Sequence, residues 1–192
     1  MILVDDIKKG VSAILHPNKS TGTTMSIGAA AVMYYKFAFL PLLVLPIVIE
    51  LLLGGFLGAI SISIILVQYI FYPIGLLIGA GILFFIGKYL FRWFKGTFSG
   101  AFTATVYGAF PSLLFAWISY IMLYASLHVG EVIGIIIDVI DLWSLYVIVV
   151  AFSRQQKCTK LQSLIVALVP VIIVAIIAFL VLGSVALSST GL

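Results

Sequence analysis

Two aspartates, Asp138 and Asp141, stand in the otherwise apolar stretch GEVIGIIIDVIDLWSLYVIVVAF. A spacing of three puts both carboxylates on one face of a helix. Two acids that close repel each other when both are ionised, and sharing a proton or a cation relieves the repulsion. That is the chemistry of a proton- or cation-handling site. Glu50, in another apolar run, can join the pair across a bundle. A charge at mid-bilayer costs about 2.5–3.5 kcal/mol on insertion scales, so such acids ordinarily face a bundle interior or a water-filled cavity. The plainer alternative is that the outer half of this stretch is tilted or wet and the acids face water.

Other reactive constellations are incomplete. His128 and Glu131 offer two ligands without a third, so no metal site is expected. His16 beside Pro17 reads as a surface residue. Gly96-Thr97-Phe98-Ser99-Gly100 flanks a serine with glycines, but the spacing is wrong and no apolar run carries a histidine base. Intramembrane aspartyl proteolysis needs acids on two facing helices, whereas these two share one. The expectation is a non-catalytic protein without a cofactor. Cys158, the single cysteine, lies in QQKCTK at a position that permits acylation, with a plain thiol as the simpler reading.

The elements that position these residues follow from composition. Of 192 residues, 64% are hydrophobic and 8% charged. Soluble domains carry about 25% charged residues, so this is a membrane composition. A spanning helix needs roughly 20 apolar residues, and its backbone must satisfy itself inside lipid. The runs are continuous rather than alternating, which disfavours a β-barrel. The fold class expected is all-α and polytopic, with five transmembrane helices over about 30–56, 62–87, 102–124, 132–152 and 161–183. The break between the first two is expected within GGFLGAISIS, residues Gly54 to Ser63. Residues 25–192 then form the membrane domain, and residues 1–24 precede it.

Ten Lys and Arg residues are distributed in one pattern. Lys8, Lys9, Lys19 and Lys36 precede or open the first span. Lys88, Arg92 and Lys95 lie between the second and third, and Arg154, Lys157 and Lys160 between the fourth and fifth. Five spans put all ten on one side, which the positive-inside tendency makes cytoplasmic. The expected localisation is the cell membrane, with the N-terminus inside and the C-terminus outside. Lys88, Arg92, Lys95, Arg154, Lys157 and Lys160 are candidates for contact with anionic lipid. Divided among short junctions, these cations do not describe a nucleic-acid surface.

No cleavable signal peptide is expected from MILVDDIKKG. In VDDIKKGVSAILHP, residues Val4, Ile7, Val11, Ile14 and Leu15 share a helical face, which predicts a short amphipathic helix on the cytoplasmic interface, stopped by Pro17. Pro41, Pro46, Pro73, Pro111 and Pro170 fall inside apolar runs and are expected to kink them. Gly54 and Gly58, Gly75 and Gly79, and Gly130 and Gly134 recur at four-residue spacing, which allows close helix packing.

KGTFSGAFTATVYGAFPSLLFAW resembles the Yip domain family of five-span membrane proteins, named for interaction with Ypt/Rab GTPases. The elements that match are Lys95, Gly96, Thr97, Phe98, Tyr107, Pro111, Leu113 and Leu114. LWSLYVIVVAFSRQQKCTKLQSLIVAL is similar to the family's fourth span, with Trp143, its polar turn and its fifth span. The resemblance implies a non-catalytic protein of membrane organisation or trafficking, acting through helix association and lipid contacts. Homo-oligomers or other membrane proteins would be its partners. Members that contact Rab GTPases carry a long cytosolic N-terminal region; the short segment here weighs against GTPase binding and points to the prokaryotic branch. A small proton- or cation-linked transporter or channel using the intramembrane acids is the alternative.

Overall fold

A computed structural model of the protein describes residues 2–52, 58–124 and 130–189, and every regular element among them is a helix. Helix α1 covers Ile2–Leu15, and α2 is the single turn Pro17–Ser20. Helix α3, Ile27–Ala38, runs through a π-helical stretch, Phe39–Val44, into α4, Leu45–Leu52. Helix α5, Gly58–Phe85, ends in a second π-helical turn, Ile86–Leu90. Helices α6, Phe98–Tyr124, α7, Gly130–Gln155, and α8, Lys160–Ser189, complete the chain order.

Among the described residues, five stretches are long and apolar enough to cross a membrane: Ile27–Ile49, Ile65–Leu90, Phe98–Trp117, Gly134–Gln155 and Lys160–Leu180. The chain is an all-α polytopic membrane protein. Helix α5 is already wound at Gly58, inside the stretch expected to turn. Lipid favours this extension, because each further turn satisfies backbone groups that would otherwise be orphaned. Gly54 and His128 lie outside the described residues. Glu50, Gly58, Gly130 and Glu131 are placed on their helices, but their surroundings lie outside them too.

Helix α6 is the centre of the bundle. Every residue from Gly100 to Pro111 is buried, whereas every residue of α8 from Val171 to Leu180 is exposed. The least hydropathic of the five spans is thus the most enclosed, and the most hydropathic, α8, is the most exposed. In lipid there is no hydrophobic drive to bury leucine, so small and weakly polar residues take the interior because they let backbones approach. Gly108 shows the mechanism: a Cβ there would overlap Ile148 of α7. Phe37 and Phe110 pack across the α3–α6 interface with ring centroids 4.3 Å apart.

The expected packing pairs behave differently. At Gly75, Gly79 and Gly134 a Cβ would meet nothing within 4 Å among the described residues, so none of the three is a point of close approach there. Gly75 and Gly79 instead line an apolar groove of about 260 Å³ with Ala167 and Pro170 of α8. Among the described residues the tight approaches are at Gly10, Gly22, Gly87, Gly96 and Gly108, where a Cβ would overlap Phe37, Arg154, Phe94, Gln155 and Ile148 respectively.

The prolines act locally. Pro41 lies within the π-helical stretch and Pro46 opens the next α-helical turns, so the two missing donors coincide with the change in winding. Pro73, Pro111 and Pro170 remain inside α-helices. Beside Pro111, the backbone N–H of Ser112 donates to Ser144 Oγ of α7 at 3.2 Å, so a neighbouring helix takes up a donor in the disturbed turn.

The expected helix α1 is present, and part of it packs on the bundle. Gly10, Ala13 and Ile14 are buried in the main core, while Val11 and Leu15 face outward. Trp143 Nε1 of α7 donates to the Ile14 carbonyl at 3.1 Å. Docking onto the bundle buries a small-residue face and satisfies a C-terminal carbonyl, which a helix lying flat on a surface leaves to water. The helix ends at Leu15, and Pro17, buried, takes the first position of α2, where its missing N–H costs nothing.

Candidate functional site

The ends of α5 and α7 and the starts of α3, α6 and α8 meet at one end of the bundle, which also gathers Lys88, Arg92, Lys95, Arg154, Lys157 and Lys160. The junction between α5 and α6 is formed by residues 91–97 and that between α7 and α8 by residues 156–159. Two adjacent glutamines, Gln155 and Gln156, both buried, bind this end together. The backbone N–H of Lys95 donates to the Gln156 carbonyl at 2.9 Å, and Gln156 Nε2 donates to the Thr97 carbonyl at 3.0 Å. Gln155 Nε2 donates to the Thr21 carbonyl at 2.6 Å, and Gln155 Oε1 accepts from Thr24 Oγ1. Thr103 Oγ1 of α6 accepts from the Met25 N–H at 3.2 Å and ties the same linker to the central helix.

The residues of the KGTF motif find their reason here. Gly96 is in contact with the Gln155 carbonyl, where no side chain fits. Thr97 Oγ1 accepts from the Gly100 N–H at 3.2 Å and so caps α6. Phe98 packs edge-on to Phe84 of α5, centroids 5.9 Å apart. Tyr107, further along α6, is buried edge-on to Phe110 at 5.7 Å. These are packing roles, and none brings a reactive group to the surface.

Both helix ends that supply cations close in the same way. Arg92 has φ 58° and Lys157 has φ 53°, the left-handed region in which glycine is at home. The following N–H groups then fold back: Trp93 donates to Gly87 O at 2.8 Å and Cys158 to Ser153 O at 3.1 Å. A side chain in this conformation costs about 1–2 kcal/mol, and a cation beside the helix C-terminus recovers part of it from the macrodipole. Opposite them, the start of α8 carries a capping box, with Gln162 N–H donating to Thr159 Oγ1 and Thr159 N–H to Gln162 Oε1.

Between the two junctions lies a cleft of about 330 Å³ with Arg92, Lys95 and Lys157 on its rim and Trp93 and Cys158 in its wall. Neither junction contains an acidic residue. Lys88 is engaged elsewhere: its Nζ donates to the Gly96 carbonyl at 3.3 Å and stands 4.9 Å over the Phe84 ring. Arg154 packs its guanidinium against Gly22. Burial pushes the Cys158 thiol up, and its hydrogen bond with Ser163 Oγ only partly opposes that. The thiol is therefore not activated as a nucleophile.

The intramembrane acids lie further along α7. Asp138 and Asp141 are both exposed on its outer surface rather than enclosed by the bundle. Asp141 reaches the α6–α7 seam, where Ser112 Oγ donates to its Oδ1 at 3.1 Å; Ser112 and Ser144 share a hydrogen bond of 2.7 Å. These serines line a cleft of about 240 Å³ with Tyr72 of α5. Glu50 cannot be related to the pair, since its side chain is outside the described residues. Among the described residues, no group of three His, Cys, Asp or Glu side chains is placed to hold a metal ion.

The sequence reading missed Gln155, Gln156 and Gly108. Their only signal is two amides within an otherwise apolar and basic turn and a glycine four residues before Pro111's neighbour Ser112. The Yip1 domain family model matches residues 12–182. Neither a curated protein nor a solved structure matches the chain.

Proposed function

The chain belongs to the Yip1 domain family, and from that premise we propose that it is a non-catalytic organiser of the membrane, acting through its basic end and its helix surfaces. The Yip1 family is not a known enzyme family. The observation that carries the reading is the construction of the basic end. Two buried glutamines hold three chain segments together there, and Arg92, Lys95 and Lys157 stand on the rim without an acidic residue in either junction. A rigid cationic surface beside a bilayer attracts anionic headgroups, by about 1 kcal/mol per Lys or Arg near the surface.

On this reading the basic end is cytoplasmic, the protein resides in the cell membrane, and it belongs to the prokaryotic branch of the family. Its partners are the bilayer, further copies of itself or other membrane proteins. The long exposed face of α8 supplies surface for lipid or for a neighbouring helix. Chemical crosslinking in bilayers and melting in detergent with and without anionic lipid test the proposal. A strictly monomeric protein whose melting ignores anionic lipid would sink it.

The link of Asp141 to Ser112 and Ser144 favours one second reading, a small proton- or cation-linked transporter or channel. Flux in proteoliposomes that disappears in Asp138→Asn/Asp141→Asn would establish it and displace the first. No flux in either protein would leave the acids as wet, structural residues.

A further inference from the structure

We propose that the cleft bounded by Arg92, Lys95 and Lys157 is a binding site for a phosphate monoester, presented either as a lipid headgroup or as a free phosphate compound. The inference rests on the lipid-contact reading of the basic end and deepens it from diffuse attraction to a defined pocket.

Charge sets the class of ligand. Three cations border one cleft, and neither junction that forms it contains an acidic residue. A phosphate monoester carries about −1.5 to −2 charges near pH 7 and three free acceptor oxygens. A phosphodiester carries one charge and two. Arg92 supplies a planar fork that matches two phosphate oxygens, and the two lysines act as point charges.

Construction supports the same conclusion. Arg92 and Lys157 each occupy a left-handed backbone position that glycine fits better, and both lie on this cleft. Strain of this kind persists where the surrounding structure holds it, and it clusters at ligand clamps. Of the cations nearby that do not line the cleft, Lys88 is hydrogen-bonded to the Gly96 carbonyl and Arg154 lies against Gly22. The cleft's volume of about 330 Å³ stands at the small end of ligand pockets, enough for a headgroup and not for an acyl chain. Trp93 in its wall, stacked on Phe91 at 4.5 Å, is placed to report an occupant.

The test uses the full chain in mild detergent, titrated with short-chain phosphatidic acid and short-chain phosphatidylglycerol, and read by melting temperature and tryptophan fluorescence. Phosphatidic acid should bind at least about tenfold tighter, the scale of a single charge-assisted contact. The preference should vanish in Arg92→Gly/Lys157→Gly, a variant that suits the backbone of both loops and should melt no lower than the parent without lipid. Glycerol 3-phosphate and inorganic phosphate, added as competitors, separate the sources. Displacement at concentrations comparable to the lipid assigns a free phosphate compound, and resistance to both assigns the headgroup.

Equal affinity for the two lipids would overturn the pocket, as would a preference that survives in the double variant. Stabilisation by both anionic lipids alike would leave the general lipid-contact function standing. Indifference to both would remove that function as well.

Discussion

The backbone N–H of Lys95 donates to the carbonyl of Gln156 at 2.9 Å, joining two junctions that lie far apart in sequence. The Gln156 side chain returns the contact by donating to Thr97 O at 3.0 Å. This clasp holds the strained Arg92 and Lys157 on opposite rims of one cleft and places the start of α6 against the end of α7. It depends on Gly96, because only a residue without Cβ leaves room for the Gln155 carbonyl.

Gly96→Ala is therefore expected to destabilise the protein by about 1–3 kcal/mol, the usual cost of overpacking a filled site. Gly75→Ala serves as the control. Its Cβ would stand in open space within α5, and alanine is the better helix former, so stability should hold or rise slightly. Thermal unfolding in one detergent compares the two. Equal losses would show that the clasp is not tight.

Gln155→Leu removes the donor to Thr21 O and the acceptor for Thr24 Oγ1. The buried Thr21 carbonyl left unpaired costs about 1–3 kcal/mol, whereas the exposed Thr24 hydroxyl can turn to water. The linker before α3 should loosen while the five spans stay folded. Limited proteolysis reads this directly: cleavage within residues 16–25 should accelerate, and cleavage between α7 and α8 should change less.

Arg92→Gly and Lys157→Gly should each raise stability by roughly 1 kcal/mol, since glycine relieves a left-handed conformation at some entropic cost. A drop in melting temperature would mean that the cationic side chains contribute more through the helix ends than their backbone strain takes away.

Cys158 should behave as a protected thiol. Burial favours the neutral form, so its folded-state pKa lies above that of an ordinary thiol. The sign follows: the folded state holds the proton more tightly, and stability is constant at neutral pH and declines as pH rises past the unfolded value. Alkylation at pH 8 should be at least about tenfold slower in the folded protein than in denaturant. Comparable rates would contradict the burial of the thiol.

Composition and hydropathy alone specify the membrane class and five apolar helices, because a chain in lipid has few ways to satisfy its backbone. The KGTF…Tyr107…Pro111 pattern was likewise legible as a family resemblance, and the family model supports it over residues 12–182. What a single chain does not carry is which faces of those helices meet. Glycine spacing pointed to Gly75 and Gly79, but packing uses Gly96 and Gly108, since close approach depends on what stands opposite and not on the spacing within one helix. The apolar stripe of α1 marks an amphipathic helix, but that Gly10, Ala13 and Ile14 are the part that meets the bundle is decided by packing.

The same distinction governs the candidate site. Ten cations that precede, open or lie between the expected spans are visible in sequence, but only tertiary structure separates Lys88, bound to the Gly96 carbonyl, and Arg154, against Gly22, from Arg92, Lys95 and Lys157 around one cleft. Hydropathy determines how often this chain crosses a membrane because solvation is a property of each residue. Where its charges converge is decided by contacts between segments, such as that of Lys95 with Gln156, which exist only once the helices have packed.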